Sequence, residues 1–357
     1  MSRFFSEKYA ELEPYVPGEQ PKDQQYIKLN TNENAFPPHP SVAKAAAEAA
    51  ASLHLYPDPE CGELRKKLAE TLGLKPEELI VTNGSDDMLN FAFMAFCDEH
   101  IQAVFPDITY GFYQVFAKLN QVPYREIPLK EDLTVDPAEY RNAAGTIFLA
   151  NPNAPTGIAL SREQIEEILQ TNPYNVVVVD EAYVDFGADS CLKLIRKYDN
   201  LLVVRTFSKS RSLAGGRLGF GAANPEIIRD LETLRYSTNP YNIDRMTMAA
   251  GIACLEHDDY NRKNCETIMK TREAARRSLE KLGFEVTDSR TNFLFARHPG
   301  IGGEELYRKL KEKGILVRHF GAERIREYNR ITIGTEEQME ALAETIGTIL
   351  RDGGIQA

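Results

Sequence analysis

The feature that most constrains the fold of this chain is a series of short apolar runs between residues 79 and 222, with amphipathic stretches such as Asp87–Phe96 and Arg162–Gln170 between several of them. Continuous apolar runs separated by helices are typical of strands that are buried on both faces of a mostly parallel sheet. The sequence therefore predicts an α/β fold with the strands Leu79–Thr82, Ala103–Phe105, Tyr124–Ile127, Thr146–Ala150, Val176–Asp180, Leu201–Arg205 and Leu218–Ala222.

The pattern changes near Asn239-Pro240-Tyr241-Asn242, where a long helical stretch begins and is followed by short strands and helices. A length of 357 residues favours about two domains. We predict an arm and first helix (residues 1–49), which pack on the smaller domain or on a partner subunit. A large domain (50–242) and a small α/β domain with a partly antiparallel sheet (243–357) follow. Ser41 is expected to cap the first helix, Val42–Ser52.

The charge and the cysteines disfavour several classes of function. A net charge of -11 disfavours nucleic acids and anionic membranes as partners, since both bind clustered Lys and Arg. The five cysteines are scattered and lack C-x-x-C spacing, so neither disulfides nor a zinc site is expected. No stretch approaches the roughly 20 apolar residues of a membrane span, and the first residues do not resemble a signal peptide. We therefore expect a cytoplasmic protein without a metal.

Lys209 follows the apolar run Leu201–Val204, which carries it to the end of a predicted buried strand. A lysine amine withdrawn from water can act as a nucleophile and form a Schiff base with an aldehyde. Ser208 and Arg217 in the same segment are residue types that bind phosphate. Taken alone, however, the segment is more typical of a surface loop rich in small polar residues.

Asp180 follows four consecutive valines and is expected to be partly buried at a strand end. A carboxylate in that position needs a cationic partner or strong hydrogen bonds. One candidate partner is the Mg²⁺ of a nucleotide hydrolase, but the phosphate-binding loop G-x-x-x-x-G-K-[ST] that such enzymes require does not occur in this sequence. The other candidate is a protonated pyridine nitrogen, which an adjacent carboxylate keeps charged.

Two turns follow other predicted strands. The segment Val81–Asp86 passes through Gly84 into a helix and offers free backbone N–H groups to a phosphate, although alone it is only a helix start. The turn Asn151–Gly157 contains two prolines, and its amides could face a ring oxygen or a substrate. Ligands of open α/β sheets bind beyond the carboxyl ends of the strands, where these turns are predicted to lie.

Together these motifs have the order and approximate spacing found in the fold-type I pyridoxal-phosphate aminotransferases, which the chain resembles over nearly its whole length. Within class II of that family it is most similar to the branch that acts on histidinol phosphate. The resemblance implies a large domain with a seven-stranded, mostly parallel sheet, a smaller α/β domain and pyridoxal 5'-phosphate as cofactor. The segments that carry it are Leu29–Asn34, Tyr56–Asp58, Asp180–Tyr183, Leu213–Phe220, Asn239–Asn242 and Gly314–Arg318.

The resemblance assigns the coenzyme contacts residue by residue. It implies that Lys209 binds the coenzyme covalently, that Asp180 pairs with the pyridinium nitrogen and that Tyr183 hydrogen-bonds the ring hydroxyl oxygen. Tyr110 would stack on the ring. The phosphate would be held by Gly84, Ser85, Asp86, Ser208 and Arg217.

It also assigns residues to the substrate and to the partner subunit. Arg330 would hold the anionic group of the substrate, and Tyr15 on the arm is a further candidate for the same pocket. Tyr56 would reach the coenzyme phosphate of the neighbouring subunit, which implies a homodimer with shared active sites. One position departs from the family pattern, because Ala154 stands where relatives have the asparagine that contacts the ring hydroxyl oxygen. Asn153 or Asn151 takes over that contact, with Asn153 preferred, or Tyr183 acts alone.

The reaction implied by the resemblance is a ping-pong transamination in which Lys209 serves as general base and then as general acid. Histidinol phosphate would leave as imidazole-acetol phosphate, and 2-oxoglutarate would take up the amino group and leave as glutamate. Three alternatives remain open: an aromatic amino-acid aminotransferase of the same fold, a pyridoxal-phosphate decarboxylase of a phosphorylated amino acid, and a non-catalytic protein on this scaffold.

Overall fold

The computed structural model describes residues 2–10 and 12–355 of the chain. Its helices are α1 (Pro40–Ala50), α2 (Gly62–Leu72), α3 (Gly84–Phe96), α4 (Phe112–Leu119), α5 (Arg162–Thr171), α6 (Pro225–Thr238), α7 (Arg245–Glu256), α8 (Asp258–Lys281), α9 (Gly303–Glu312) and α10 (Glu336–Asp352). Its strands are β1 (Ile27–Lys28), β2 (Leu79–Thr82), β3 (Ala103–Pro106), β4 (Tyr124–Ile127), β5 (Thr146–Ala150), β6 (Val177–Asp180), β7 (Leu201–Thr206), β8 (Gly219–Ala223), β9 (Glu285–Val286), β10 (Phe293–Arg297), β11 (Ile315–Leu316), β12 (Arg318–His319) and β13 (Tyr328–Thr332).

Seven strands form the main sheet in the order β2-β8-β7-β6-β5-β3-β4, which confirms the predicted α/β fold. Strands β3 to β7 run parallel, whereas β8 is antiparallel to both of its neighbours, β2 and β7. The segment that joins β7 to β8 contains no helix, and a parallel return normally needs a longer crossover with one. The chain therefore turns back antiparallel at this point.

The central strands are buried on both faces, which explains their continuous apolar sequence. Val177 and Val179 of β6 belong to a core that includes apolar side chains of α2, α5 and α7. Val178 faces the opposite core, with side chains of α3, α4 and α6. The sheet is thus the middle of three layers, and the carboxyl ends of β5, β6 and β7 meet along one edge.

A second core surrounds the four-stranded antiparallel sheet β12-β13-β10-β9 and includes side chains of α8, α9 and α10. The arm joins this unit, because β1 pairs in parallel with β11 and Leu29 is buried in the same core. In the described residues, no helix has both the length and the apolar character needed to cross a membrane.

Two details of the predicted organisation differ from the structure. Val42 of α1 packs in the core of the main sheet together with Ala250 and Ala253 of α7, so both helices join the larger unit. The core of the smaller unit begins along α8, which favours a boundary later than residue 242. The helix cap also differs, because Pro40 opens α1 and the ring of His39, rather than Ser41, accepts the first free N–H.

Candidate active site

A cavity of about 180 Å³ lies at the carboxyl ends of β5, β6 and β7. Most of the side chains predicted for the site line its wall, although they come from distant parts of the sequence. Thr31 and Glu33 of the arm lie on the same wall, beside Lys209. The predicted residues that the structure brings together here are Ser85, Asp86, Tyr110, Asp180, Tyr183, Ser208, Lys209 and Arg217.

Asp180 ends β6 on the floor of the cavity and is almost fully buried. The backbone N–H of Ala182 donates a hydrogen bond to its carboxylate at 3.1 Å. Burial, together with the negative charge of Asp86, raises the pKa of Asp180 to about 7. A cation placed against this carboxylate would therefore gain a strong partner.

Lys209 lies three residues beyond β7 and reaches across the cavity toward the arm. Within the part of the chain that the structure describes, its Nζ donates one long hydrogen bond, to the backbone carbonyl of Thr31 at 3.4 Å, and lies 5.8 Å from the ring centre of Tyr183. Asn34 donates to the backbone carbonyl of Lys209 at 2.8 Å and fixes the main chain at this point. The main chain of Lys209 is thus held in place while its amine is only weakly hydrogen-bonded, an arrangement that suits a nucleophile.

The N-terminus of α3 forms an anion site opposite Lys209. Asn83 precedes the helix without a side-chain cap, so the first backbone N–H groups are free to bind an anion. A side chain at Gly84 would meet the guanidinium of Arg217 at 2.5 Å, and one at Gly219 would meet the backbone of Gly84 at 2.4 Å. The two glycines therefore permit a close approach that places Arg217, with Ser208 at 3.5 Å from its Nη1, at the helix start.

Tyr110 stands beside this anion site and donates its hydroxyl to Asp86 at 2.6 Å. Arg217 donates to the other carboxylate oxygen of Asp86 at 3.2 Å. Burial and the Asp86 charge hold the pKa of Tyr110 well above its usual value, so its hydroxyl remains a donor. The ring of Tyr110 lines the cavity, as expected of a stacking residue.

Arg330 of β13 is half-buried, and its guanidinium has no carboxylate within 4 Å among the described residues. Its Nη2 donates to the carbonyl of Asn30 at 3.1 Å, and its Nε has no partner. Burial lowers the pKa of Arg330, and the charge of Arg318, its register partner on β12, lowers it further. Among the described residues neither arginine has a carboxylate within 4 Å, so the pair forms a site for an anion. The sequence analysis missed Arg318, because its pairing with Arg330 depends on strand register.

Tyr15 lies close to this arginine pair, as expected of an arm residue at the pocket. Its ring stacks on Phe112 with a centroid distance of 4.2 Å. Arg318 donates to the carbonyls of Val16 and Pro17 at 3.2 and 3.4 Å, which ties the arm to β12. The arm thus lies beside the pocket of its own chain.

The side chain of Asn153, the preferred replacement of the missing asparagine, already has partners in the turn. Its amide oxygen accepts from Thr109 at 2.8 Å and its amide nitrogen donates to Ile108 and Thr156, so the side chain stabilises the turn. Asn151 is committed in the same way to the backbone of Leu160. Ala154 lines the cavity instead. Neither asparagine is free to contact a ring oxygen.

Asn32 is a residue that the sequence analysis missed. Its amide nitrogen donates to the hydroxyl oxygen of Tyr183 at 2.9 Å, and its amide oxygen accepts from Thr332 at 3.0 Å. Because this contact orients the Tyr183 hydroxyl, Tyr183 remains the residue available for the ring oxygen. Asn32 could have been found only from the fold, since it lies 151 positions from Tyr183.

An ionic cluster around Asp185 contacts the segment that carries Lys209. Asp185 accepts from Ser210 at 2.5 Å and is paired with Arg205 and with Arg211, which lies 3.4 Å away. Burial alone would raise the pKa of Asp185, but the two guanidinium groups outweigh it and lower the pKa to about 2. The ionised Asp185 therefore links the segment after β6 to the segment that carries Lys209.

Tyr56 does not line the cavity of its own chain. It is exposed, and its ring stacks on Tyr241 at 4.7 Å. Arg245 donates to the backbone carbonyl of Tyr56 at 2.6 Å and fixes the segment in this position. Its predicted contact with a coenzyme phosphate can be made only in a neighbouring subunit.

The residues present fit a phosphorylated pyridine aldehyde on structural grounds. The site combines an uncapped helix N-terminus with Arg217 for a dianion, a buried Asp180 that has no cationic partner among the described residues, and a weakly bonded lysine amine. These are the donors and charges that a phosphate, a pyridinium nitrogen and an aldehyde require. Among the described residues, no cluster of three or more His, Cys, Asp or Glu side chains could hold a metal ion.

Comparison with known proteins adds an independent finding. The family model described as aminotransferase class I and II matches residues 24–346. The histidinol-phosphate aminotransferase of Brachyspira hyodysenteriae is 48% identical over 99% of this chain and 100% of its own. That of Marinomonas sp. strain MWYL1 is also 48% identical, over 98% and 100%. The crystal structure of histidinol-phosphate aminotransferase from Sinorhizobium meliloti in complex with pyridoxal-5'-phosphate has a TM-score of 0.83 at 25% identity, covering 91% of this chain and 92% of that one.

Proposed function

Because the chain belongs to the aminotransferase class I and II family, we propose that it uses pyridoxal 5'-phosphate to transfer the amino group of histidinol phosphate to 2-oxoglutarate, a step of histidine biosynthesis. The similarity to histidinol-phosphate aminotransferases extends over nearly the whole length of both chains. The structural observation that supports the substrate assignment is the pair Arg330 and Arg318, which has no carboxylate within 4 Å among the described residues. The cytoplasmic location expected from the sequence stays a prediction.

The bound coenzyme supplies an electron sink that stabilises negative charge on the substrate carbon bearing the amino group. Asp180 lies where it can keep the ring nitrogen protonated, and Tyr183, oriented by Asn32, is available to the ring oxygen. Lys209 Nζ takes the proton from the amine-bearing carbon as general base and returns it as general acid. The helix start at Gly84, with Ser208 and Arg217, holds the coenzyme phosphate and keeps the ring in place.

Arg330 and Arg318 hold the substrate anion, a phosphate in histidinol phosphate and a carboxylate in 2-oxoglutarate. A planar guanidinium can bind either group through two parallel hydrogen bonds. The pair also supplies local positive charge in a chain whose net charge is -11. Tyr15 of the arm, which lies close to Arg330 and stacks on Phe112, is a further candidate contact for the substrate.

Replacing Arg330 by alanine is expected to raise the KM for both histidinol phosphate and 2-oxoglutarate by roughly 10²-fold, because each loses a charge-assisted contact. Arg330→Lys should recover only part of the loss, since an ammonium cannot form the paired contact. Steady-state kinetics with each substrate varied in turn measure both effects. Arg297→Ala on the neighbouring strand, whose guanidinium pairs with Glu285 at 2.6 Å, is the matched control. Unchanged KM values for both substrates would remove Arg330 from the site.

We also propose a homodimer in which Tyr56 completes the neighbouring site. Tyr56 is 76% exposed, and Leu53 and Leu55 beside it are exposed as well, which is an unusual concentration of apolar surface. Co-expression of a Tyr56→Ala chain with a Lys209→Ala chain tests the sharing. Each mixed dimer contains one intact site of two, and random pairing makes about half of the dimers mixed. Activity should therefore rise toward about a quarter of the wild-type value. Activity no higher than the sum of the separate variants would contradict a shared site.

Competing initial rates with histidinol phosphate and phenylalanine as amino donors test the substrate. We expect histidinol phosphate to be preferred by at least about tenfold, because phenylalanine places no phosphate against the arginine pair. A preference for phenylalanine would identify an aromatic aminotransferase. Release of carbon dioxide from a phosphorylated amino acid would identify a decarboxylase, and a protein that gains no visible absorbance with pyridoxal phosphate would be non-catalytic.

A further inference from the structure

Phe320 is a half-buried aromatic residue that directly follows β12. The guanidinium carbon of Arg330 lies over its ring, 5.6 Å from the ring centre, and that of Arg318 lies over the same ring at 5.7 Å. A cation within about 6 Å of the centre of an aromatic ring is attracted by the negative charge of the ring face. A single ring thus contacts both arginines of the proposed anion site.

The ring of Phe320 is oriented by Phe295 of β10, which is fully buried. The two ring centres are 6.1 Å apart, and the ring planes cross at 71°. An edge-to-face contact of this kind is a favoured arrangement of aromatic pairs. Phe293, two residues earlier on the same strand, contributes a second ring, whose centre is 5.4 Å from the guanidinium carbon of Arg330. The guanidinium of Arg330 is therefore held by two aromatic rings, one on β10 and one that rests on it.

An arginine that binds a substrate anion needs supporting groups that do not compete for its N–H donors. A carboxylate would occupy the same N–H groups that a phosphate needs. Among the described residues Arg330 has no carboxylate within 4 Å, and it donates to the carbonyl of Asn30 at 3.1 Å. An aromatic face attracts a cation without accepting a conventional hydrogen bond, and it offsets part of the repulsion between two neighbouring guanidinium groups. The remaining N–H groups stay available to an anion.

We propose that Phe320 is a positioning residue for the substrate anion, because its ring face holds the guanidinium groups of Arg330 and Arg318 together and leaves their N–H groups free. Phe320 acts through the two arginines and not by contact with the substrate. The inference rests on the proposed function in taking this arginine pair as the anion site, and it does not depend on which amino donor the enzyme uses.

Fluorination of the ring at position 320 tests the charge of the ring face separately from its shape. Fluorine withdraws electron density, so pentafluorophenylalanine at this position keeps a similar shape but no longer attracts a cation. In the holoenzyme, the KM for histidinol phosphate and for 2-oxoglutarate should rise stepwise with the number of fluorines, by roughly tenfold at full substitution. The kcat should change by less than about twofold, since the lost contact acts on binding in the ground state and the transition state alike.

Conventional variants supply the matched controls. Phe320→Leu should raise both KM values as full fluorination does, whereas Phe320→Tyr keeps an aromatic face and should stay within about twofold of the wild type. Tyr328 also packs on Phe295, at 4.6 Å between ring centres, and the guanidinium of Arg297 lies over its ring at 5.3 Å. Arg297 pairs with Glu285 and takes no part in the anion site. Tyr328→Leu should therefore leave both KM values unchanged.

Binding of inorganic phosphate to the holoenzyme, measured by titration calorimetry, probes the arginine pair without any amino donor. Its Kd should rise with fluorination at position 320, and Arg330→Ala should remove most of this dependence because the main partner of the ring is gone. KM and Kd values that do not change with fluorination, or a Phe320→Leu effect on KM that persists undiminished in Arg330→Ala, would overturn the proposal. Failure to transfer amino groups from histidinol phosphate, with a phosphate Kd that still follows the charge of the ring, would overturn only the proposed substrate.

Discussion

Replacing Lys209 by alanine is expected to lower turnover by about 10⁴-fold and to abolish the visible absorbance that marks covalently bound coenzyme. The structure explains why no other residue can substitute. Lys209 Nζ lies within the cavity wall, 5.8 Å from the ring centre of Tyr183, and is the lysine that lines this cavity among the described residues. The phosphate site at Gly84 and Arg217 is untouched, so the variant should still bind the coenzyme reversibly. Absorbance spectra and equilibrium dialysis measure the two properties separately.

Two further variants separate the chemistry of the amine from its charge. Lys209→Arg keeps a positive charge, but a guanidinium stays protonated and cannot accept a proton at neutral pH, so it should be as inactive as the alanine variant. Lys197→Ala removes an exposed lysine that is paired with Glu166 and should leave activity unchanged. Turnover within tenfold of the wild type in Lys209→Ala would end the assignment of an aminotransferase reaction to this site.

Much of the fold follows from local sequence, because the physical cause is local. Strands β5 to β7 are buried on both faces, so their apolar runs identify them without knowledge of their neighbours. Local sequence does not predict the antiparallel direction of β8 or the packing of α7 with the main sheet. Both depend on how segments that are far apart in the sequence meet. For this reason the packing of α7 favours a boundary later than the predicted residue 242.

The residues of the candidate site likewise fall into those that local sequence identifies and those that depend on long-range contacts. Asp180 and Lys209 could be identified from sequence, because each follows an apolar run whose strand end must face the ligand. Asn153 could not be placed, because the direction of its amide is decided by Thr109 and Ile108, more than 40 positions earlier.

Asp180→Asn is expected to have opposite effects on the holoenzyme and on the coenzyme-free protein. With coenzyme bound, loss of the carboxylate removes the partner of the ring nitrogen, and turnover should fall by at least about 10³-fold. Without coenzyme, the ionised carboxylate is a buried charge that lacks a cation. The pKa is raised from 3.8 to about 7 by burial, so the folded state binds more protons than the unfolded state between these values. Stability of the wild type should therefore decrease as the pH rises from about 4 to 7, and the loss persists above 7.

Asparagine cannot ionise, so the coenzyme-free Asp180→Asn variant should be more stable than the wild type at pH 8, by an amount on the order of 3 kcal/mol, and equal to it near pH 4. Denaturant unfolding across this pH range measures the difference. Asp185→Asn is the control of opposite sign, because the pKa of Asp185 is lowered to about 2 and its charge is paired with Arg205 and Arg211. That variant should be less stable at pH 8, since it removes the one carboxylate that Arg205 and Arg211 share, although Glu181 and Asp258 stay beside them. If both variants were destabilised at pH 8, Asp180 would not be the unpaired carboxylate that the site presents to a cationic ring.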